Sequence, residues 1–252
     1  MRRAAIPFKM TAGFHPAPRL VFALSLSLGI VGRNEVVELE LTEPRESADV
    51  LAAFRNQAPK GWNFHSVRVV PMKASAVARR IVYRLELPDD RIESVLAKAE
   101  SLMASKEVWV DRYHPKPRQV DIRQYLRAIE VRTSEPGALA TGEIQSTGTP
   151  VAYAPGSDGS VRFDIWVTAT GTARADELLK LLRIDDLLDA GRVLERAELE
   201  LVDETPPDAT DAPPTGPAIT RRLELPSGAL PDDDEPSPTA PWGLSPSGPV
   251  VE

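Results

Sequence analysis

Histidine, arginine and two prolines come together in the stretch AGFHPAPRLVFALSL, residues 12–26. Pro16, like the second proline, has no amide hydrogen and favours extended backbone, whereas Gly13 permits a turn that a side chain would oppose. A loop stiffened in this way would hold His15 and Arg19 in fixed directions. An arginine in such a loop is suited to bind a phosphate or a carboxylate.

The residues around this loop leave two interpretations open. Arg2, Arg3 and Lys9 precede it, and residues 1–34 contain five basic side chains and no acidic one. In the first interpretation these cations bind an anion, and Phe14 stacks on a nucleic-acid base. In the second, the stretch is a rigid crossover in which Phe14 belongs to the core and the histidine is simply exposed.

Two later stretches contain further candidates for anion binding. KPRQVDIRQYL (116–126) places Asp121 and Arg123 where a strand begins, so that they either bind an anion or cap the turn as a pair. GTARADELL (171–179) places Arg174 at the start of a predicted helix. The N-terminus of a helix accepts anions, but an ordinary helix start explains the same residues.

The chain of 252 residues contains no cysteine, which excludes disulfides, thiolate zinc sites and cysteine-bound iron–sulfur clusters. Its three histidines are far apart and match no zinc motif, so we predict no metal site and no cofactor held by this chain. Phosphate-binding glycine loops and the common hydrolase motifs are also absent from the sequence. Without a signal peptide or an apolar stretch of membrane-spanning length, the sequence predicts a cytoplasmic protein and no membrane contact.

The last fifty residues differ from the rest in composition. Residues 203–252 contain ten acidic and two basic side chains and half of the 24 prolines, which leaves residues 1–202 with a net charge of +1. Such a segment buries too little apolar surface to offset the entropy of ordering, so we predict a disordered, acidic, proline-rich tail. ITRRLELP (219–226) interrupts it, either as a chance fluctuation or as a segment that docks onto a partner or an open sheet edge.

The pattern of apolar residues predicts an α+β fold of two tandem ferredoxin-like (βαββαβ) sandwiches. In residues 1–72 it predicts a helix end, a hairpin of strands 19–26 and 35–42, a helix over 46–59 and a strand over 62–71. This first unit lacks its N-terminal strand and most of its first helix. Residues 78–202 repeat the theme as strand, helix, strands, helix and strand, with helices over 89–105 and 173–184.

Several of these stretches resemble the radical-SAM-linked family, a domain of unknown function found beside or fused to radical SAM proteins. The similarity begins with RRAAIPFKMTAGFHPAPRLVFALSLSLGIVGRNEVVELELTEP (2–44) and continues through VVPMKASAV (69–77), which contains Lys73. KPRQVDIRQYL and GTARADELLKLL also match, although Ala175 stands where the family usually has proline. The family has a strand and a helix before the first stretch, so the resemblance implies either a truncated copy or a misassigned start, of which we favour the misassigned start.

The resemblance implies a radical SAM protein as the partner, while this chain lacks the cysteines that would hold that enzyme's cluster. We therefore expect a non-catalytic accessory protein that binds RNA, with tRNA as one candidate, or another anionic substrate. One alternative is an enzyme of unknown reaction that uses His15 as acid or base with arginines as clamps. Another is a scaffold that contacts only protein. The predicted binding residues are Arg2, Arg3, Gly13, Phe14, His15, Pro16, Arg19, Lys73, Asp121, Arg123 and Arg174.

Overall fold

The computed structural model describes residues 2–71, 75–133, 159–205 and 211–223, which adopt a mixed α+β fold with several sheets and few helices. The strands are β1 (Leu20–Phe22), β2 (Ile30–Gly32), β3 (Val37–Leu39), β4 (Ala78–Leu87), β5 (Trp109–Arg112), β6 (Arg118–Asp121), β7 (Leu126–Arg132), β8 (Gly159–Thr168), β9 (Gly171–Thr172), β10 (Leu194–Leu201) and β11 (Thr220–Arg222). The helices are α1 (Ser47–Asn56), α2 (Asp89–Ala104), α3 (Ala175–Leu182) and α4 (Asp186–Asp189). No helix within the described residues is long and apolar enough to cross a membrane.

The main sheet has the strand order β2-β10-β4-β8-β7, with β9 paired to β8. Within the main sheet, β4 pairs antiparallel with β10 and with β8, and β7 pairs antiparallel with β8. The remaining strand, β2, pairs parallel with β10. Alternate residues of β4 and β8, such as Ile81, Leu85 and Phe163, are fully buried and form the core together with Val95 of α2 and Leu178 of α3. One face of this sheet is therefore covered by the apolar sides of α2 and α3.

The six elements β4, α2, β7, β8, α3 and β10 follow one another in the order predicted for residues 78–202. The predicted helices over 89–105 and 173–184 correspond to α2 and α3. Between α2 and β7 the chain adds β5 and β6, which pair with each other outside the main sheet. A further strand that the sequence predicts at GEIQST (142–147) lies outside the described residues.

Residues 2–71 differ from the separate unit that the sequence predicts. β1 and β3 pair antiparallel, which confirms the predicted pairing, but the residues between them include β2, which joins the main sheet instead of forming a simple turn. The strand predicted over 62–71 is wrong, because these residues have no regular structure. The Arg55 guanidinium donates to the carbonyl oxygens of Phe64 (2.8 Å) and His65 (2.9 Å), which are acceptors that a neighbouring strand would otherwise use.

A buried arginine of the C-terminal half anchors the N-terminal half to the main sheet. Arg196 of β10 is 1% exposed, and its Nε donates to the Glu35 carboxylate at 2.8 Å. Its remaining nitrogens donate to the carbonyl oxygens of Leu24 and Ser25, both at 3.0 Å. Because these hydrogen bonds join β10 to residues 24–35, they fix the position of β2 and its flanking chain.

Part of the tail is an ordered strand. β11 pairs antiparallel with β6, and β6 pairs with β5, so that residues 220–222 complete a three-stranded sheet. The prediction of disorder over 203–252 is therefore wrong for these residues, since β6 offers a free edge whose backbone groups they satisfy. Of the two interpretations of 219–226, docking onto an open sheet edge is the one that the structure shows for 219–223. The tail residues 206–210 and 224–252 lie outside the described residues.

Candidate functional site: the N-terminal loop

Residues 11–17 form a loop that is closed by backbone hydrogen bonds. The Thr11 amide donates to the carbonyl oxygen of Ala17 at 2.8 Å, and the Ala17 amide donates to Thr11 Oγ1 at 3.0 Å. Gly13 has φ 129°, a conformation that strongly favours glycine. The loop is thus constrained at its base by hydrogen bonds and in its turn by glycine, as its composition predicts.

The tip of this loop presents an aromatic side chain to solvent. Phe14 is 102% exposed, and His15 and Pro16 beside it are exposed as well. The interpretation of Phe14 as a core residue is therefore wrong. Among the described residues nothing buries this ring, so the ring is accessible to a molecule that contacts the loop.

Two cations share one carboxylate at the base of the loop. Arg19 Nη1 lies 3.1 Å from Glu40 Oε2, and the Lys9 ammonium also donates to Glu40. The hydrogen bond from Lys9, together with the charge of Arg19, holds the pKa of Glu40 below its usual value. Since two positive charges face one negative charge, the base of the loop retains a net positive charge that can attract an anion.

Arg3 is exposed in the single turn of 3-10 helix over Arg2–Ala4, and it makes no ion pair with any described residue. The side chain of Arg2 and the whole of Lys73 lie outside the part of the chain that the structure describes. The structure therefore brings together Gly13, Phe14, His15, Pro16 and Arg19, and it leaves the other N-terminal candidates untested.

Asp121 and Arg123 have structural contacts away from the loop. Asp121 is 3% exposed, and its Oδ1 accepts from the amides of Val108 (2.8 Å) and Arg123 (3.0 Å). The Arg123 guanidinium donates to the carbonyl oxygens of Met103, Ser105 and Leu126 at 2.9, 3.1 and 3.1 Å. The bonds to Met103 and Ser105 satisfy acceptors at the C-terminal end of α2, which supports the capping interpretation.

The helix start at Arg174 already contains a carboxylate. Glu177 Oε2 accepts from the Arg174 amide at 2.9 Å, while Arg112 binds the same carboxylate through Nε (2.7 Å) and Nη2 (2.9 Å). Arg112 also donates to the carbonyl oxygen of Thr172 at 2.8 Å. The positive end of α3 is thus neutralised from within the chain, and Arg174 itself points to solvent as an exposed side chain.

The sequence interpretation missed a surface on the uncovered face of the main sheet. We call Arg79, Arg127 and Trp166 the arginine–tryptophan surface: the two guanidinium carbons lie 4.8 and 5.7 Å from the centre of the indole ring. Asp164 bridges Arg127 (2.6 Å) to Arg80 (2.7 Å). The charged residues at positions 80, 84 and 86 of RRIVYRLEL (79–87) were the available signal, because period-two charge marks the polar face of a strand.

Among the described residues, no group of three histidine or acidic side chains could hold a metal ion. A shallow depression at one end of the main sheet is lined by Arg33, Arg84, Glu86, Val193 and Glu195, and none of these is a predicted site residue.

Comparison with known proteins gives one match. A sequence model of the family described as "Uncharacterized protein conserved in bacteria (DUF2344)" matches residues 1–155. No curated protein and no solved structure matches the chain. The matched region includes the whole N-terminal loop and β1 to β7, and it ends before α3.

Proposed function

The chain belongs to the DUF2344 family of bacterial proteins, and we propose that it is a non-catalytic accessory protein that binds RNA or another anionic substrate through residues 11–17. The similarity of its signature stretches to the radical-SAM-linked family supports a radical SAM enzyme as its partner. We propose that the protein performs this role in the cytoplasm. We also propose that residues 78–202 are a ferredoxin-like unit, which the strand order β10-β4-β8-β7 supports.

The observation behind this proposal is the fully exposed ring of Phe14 on a constrained loop with positive charge at its base. Exposed aromatic rings stack on unpaired bases of any sequence, and neighbouring cations contact the phosphates. Both kinds of group are present within one short segment. His15, at the tip, can donate or accept a hydrogen bond in the same complex.

Of the two alternatives, the structure gives specific support to protein contact. Phe22 of β1 and Val37 of β3 are cross-strand partners, and they are 53% and 41% exposed. An exposed apolar pair beside the loop is typical of a surface that binds another protein. For catalysis, an acidic partner of His15 would be required, and no described residue makes a hydrogen bond with the His15 side chain.

The test is filter binding of tRNA to the full-length chain over a series of salt concentrations. We expect the affinity to fall steeply with salt, since phosphate contacts release counterions. Phe14→Ala should weaken binding by about 5- to 100-fold, corresponding to about 1–3 kcal/mol of stacking. Arg19→Ala should reduce the salt slope by about one phosphate contact.

The matched control is Tyr113→Ala, which removes another exposed aromatic side chain outside the loop. It should leave tRNA affinity unchanged. Salt-independent binding, or equal losses for Phe14→Ala and Tyr113→Ala, would contradict the role of the loop. A different result would identify protein contact as the function. In that case tRNA does not bind, a co-expressed radical SAM enzyme co-purifies with the chain, and Phe22→Arg abolishes the co-purification.

A further inference from the structure

Residues 211–223, which we call the strap, cross from the main sheet to the three-stranded sheet. The first strap residue contacts the arginine–tryptophan surface, and the last residues form β11 on the edge of β6. Between these ends, Thr170 Oγ1 donates to the carbonyl oxygen of Gly216 at 3.2 Å. The strap thus contacts residues of β4 and β7, the turn between β8 and β9, and β6.

At its first end the strap binds one arginine through a carboxylate and a second arginine through a backbone carbonyl oxygen. Arg127 Nε donates to Asp211 Oδ2 at 2.9 Å, and the Arg79 guanidinium donates to the Asp211 carbonyl oxygen. The hydrogen bonds that Arg127 donates to Asp211 and, with a smaller effect, to Asp164 raise the pKa of Arg127 above its usual value. Trp166 is only 7% exposed, because both guanidiniums lie over its ring. This end of the surface therefore forms a preorganised site for an acidic residue.

At its other end the strap is bound mainly through its backbone. The Asp121 amide donates to the carbonyl oxygen of Ile219 at 2.9 Å, and Arg221 lies opposite Gln119 in antiparallel register. The Arg221 guanidinium carbon lies 3.7 Å from the centre of the Trp109 ring, and the same side chain pairs with Glu107 at 3.1 Å. Backbone pairing at a sheet edge is a common way for one protein to bind an extended segment of another.

The strap buries no side chain of its own. All three residues of β11 are exposed, and Pro213 and Pro214 are only half-buried. A segment with few buried apolar contacts opens at low free-energy cost compared with the core. The groove beneath it is built from stable strands, so the groove remains in place when the strap leaves.

We propose that the strap is the tethered occupant of a peptide-binding groove, and that an extended segment of a partner protein replaces it. The groove consists of the arginine–tryptophan surface and the free edge of β6. The groove selects a segment with an acidic residue at the position of Asp211. The residues that follow in that segment pair with the free edge of β6 as an added strand. This site is separate from the N-terminal loop and does not depend on the function proposed for that loop.

The strap's tether predicts how competition behaves. A tethered segment has an effective concentration of the order of millimolar, so a free peptide competes poorly with it. Weakening the strap within the full-length chain should therefore uncover the groove. Asp211→Ala removes the carboxylate, and Arg221→Pro removes an amide donor from β11 without touching the groove.

The probe is a fluorescent synthetic peptide with the strap sequence DAPPTGPAITRRL, added to full-length proteins. We expect about tenfold or greater tighter binding to the double variant Asp211→Ala/Arg221→Pro than to the unaltered chain, because the competing tether is weakened. Adding Arg127→Ala to the double variant should abolish this gain. Arg132→Ala, which removes an exposed arginine paired with Glu130, is the control and should leave the gain intact. Urea unfolding of each protein checks that the main sheet is intact.

Equal peptide affinity for the double variant and the unaltered chain, or no binding to either, would overturn the proposal. The proposal would also be overturned if a single-stranded RNA, and not the peptide, binds the double variant through Arg127. A dimer of the unaltered chain that dissociates on Arg221→Pro would instead identify the occupant as the strap of a second copy. Phe14→Ala should not change peptide binding, so failure here is distinguishable from failure of the loop's proposed function.

Discussion

The two halves of the chain use their apolar side chains in opposite ways. In residues 78–201, the apolar residues of long strands are buried against α2 and α3. In residues 2–71, the buried apolar side chains among those described are Ile6 and Val50, while Phe14 and Leu28 are completely exposed. The comparison indicates that the C-terminal half contains most of the buried core, whereas the N-terminal half contributes mainly surface.

The halves also differ in how their strands are held. Each strand of the N-terminal half has three residues, whereas β4 and β8 have ten each. Strands of three residues form few backbone pairs, so the N-terminal half depends on polar anchors such as Arg196 for its position. A change in one half should therefore have a different kind of consequence from the equivalent change in the other.

The largest expected effect is the loss of a core aromatic residue from the C-terminal half. Phe163→Ala should lower the free energy of unfolding by about 3–5 kcal/mol, because Phe163 is fully buried. Phe22→Ala should lower it by less than about 1 kcal/mol, since the ring is half exposed. Urea unfolding measures both values. Similar losses for the two variants would break the comparison.

Next in size is the release of the N-terminal half from its anchor. Arg196→Leu leaves the Glu35 carboxylate without its partner and should cost about 2–4 kcal/mol. Limited proteolysis should then cut residues 24–35 before the main sheet unfolds. Arg33→Ala is the control, because its pair with Glu195 is exposed and is worth about 1 kcal/mol or less. If the two variants are cut equally, Arg196 is not the anchor.

A smaller effect should follow from the buried carboxylate that the sequence offered as a binding residue. Asp121→Ala removes the acceptor of two amides and should lower the free energy of unfolding by about 1–3 kcal/mol. Its RNA affinity should equal that of the unaltered chain. Asp111→Ala, which loses one exposed hydrogen bond from Gln119, is the stability control. A loss of RNA affinity without a loss of stability would show that Asp121 is a binding residue.

The smallest effect concerns pH at the base of the loop. The lowered pKa of Glu40 means that its carboxylate is ionised more readily in the folded chain than in the unfolded chain. Its stabilising contribution is therefore complete above its ordinary pKa of 4.5 and is lost as the pH falls through the lower folded value. An NMR titration of the Glu40 carboxyl should give a midpoint below 4.5, and Lys9→Ala should raise that midpoint. An unchanged midpoint in Lys9→Ala would show that the pair is not formed in solution.

The elements of the C-terminal half were predictable because its patterns are long. IVYRLELP and VRFDIWVTAT alternate over enough residues to define a strand, and the helix of residues 89–105 has a continuous apolar face. The N-terminal half has no comparable runs. Its failed prediction at 62–71 depends on Arg55, whose bonds to two carbonyl oxygens of that segment have no signal in the sequence.

The candidate site was predictable to the extent that it depends on backbone chemistry. Glycine and proline at residues 13–18 indicated a constrained loop, and the structure contains one. Asp121, Arg123 and Arg174 could not be told from binding residues, because charge at a strand or helix start has the same pattern whether it caps the chain or binds a ligand. The arginine–tryptophan surface was missed because it is assembled from three separate segments.

The parallel pairing of β2 with β10 has a consequence for the order of assembly during synthesis. Leu194 is the partner of Ile30, so residues 164 positions apart in the chain must meet before β2 has an edge to join. A ribosome releases the N-terminal half first, yet that half cannot dock until β10 has emerged. The apolar side chains of Leu24 and Ile30, which pack against the core in the folded chain, are therefore accessible to chaperones throughout most of translation. The N-terminal half of this protein is made first and put in place last.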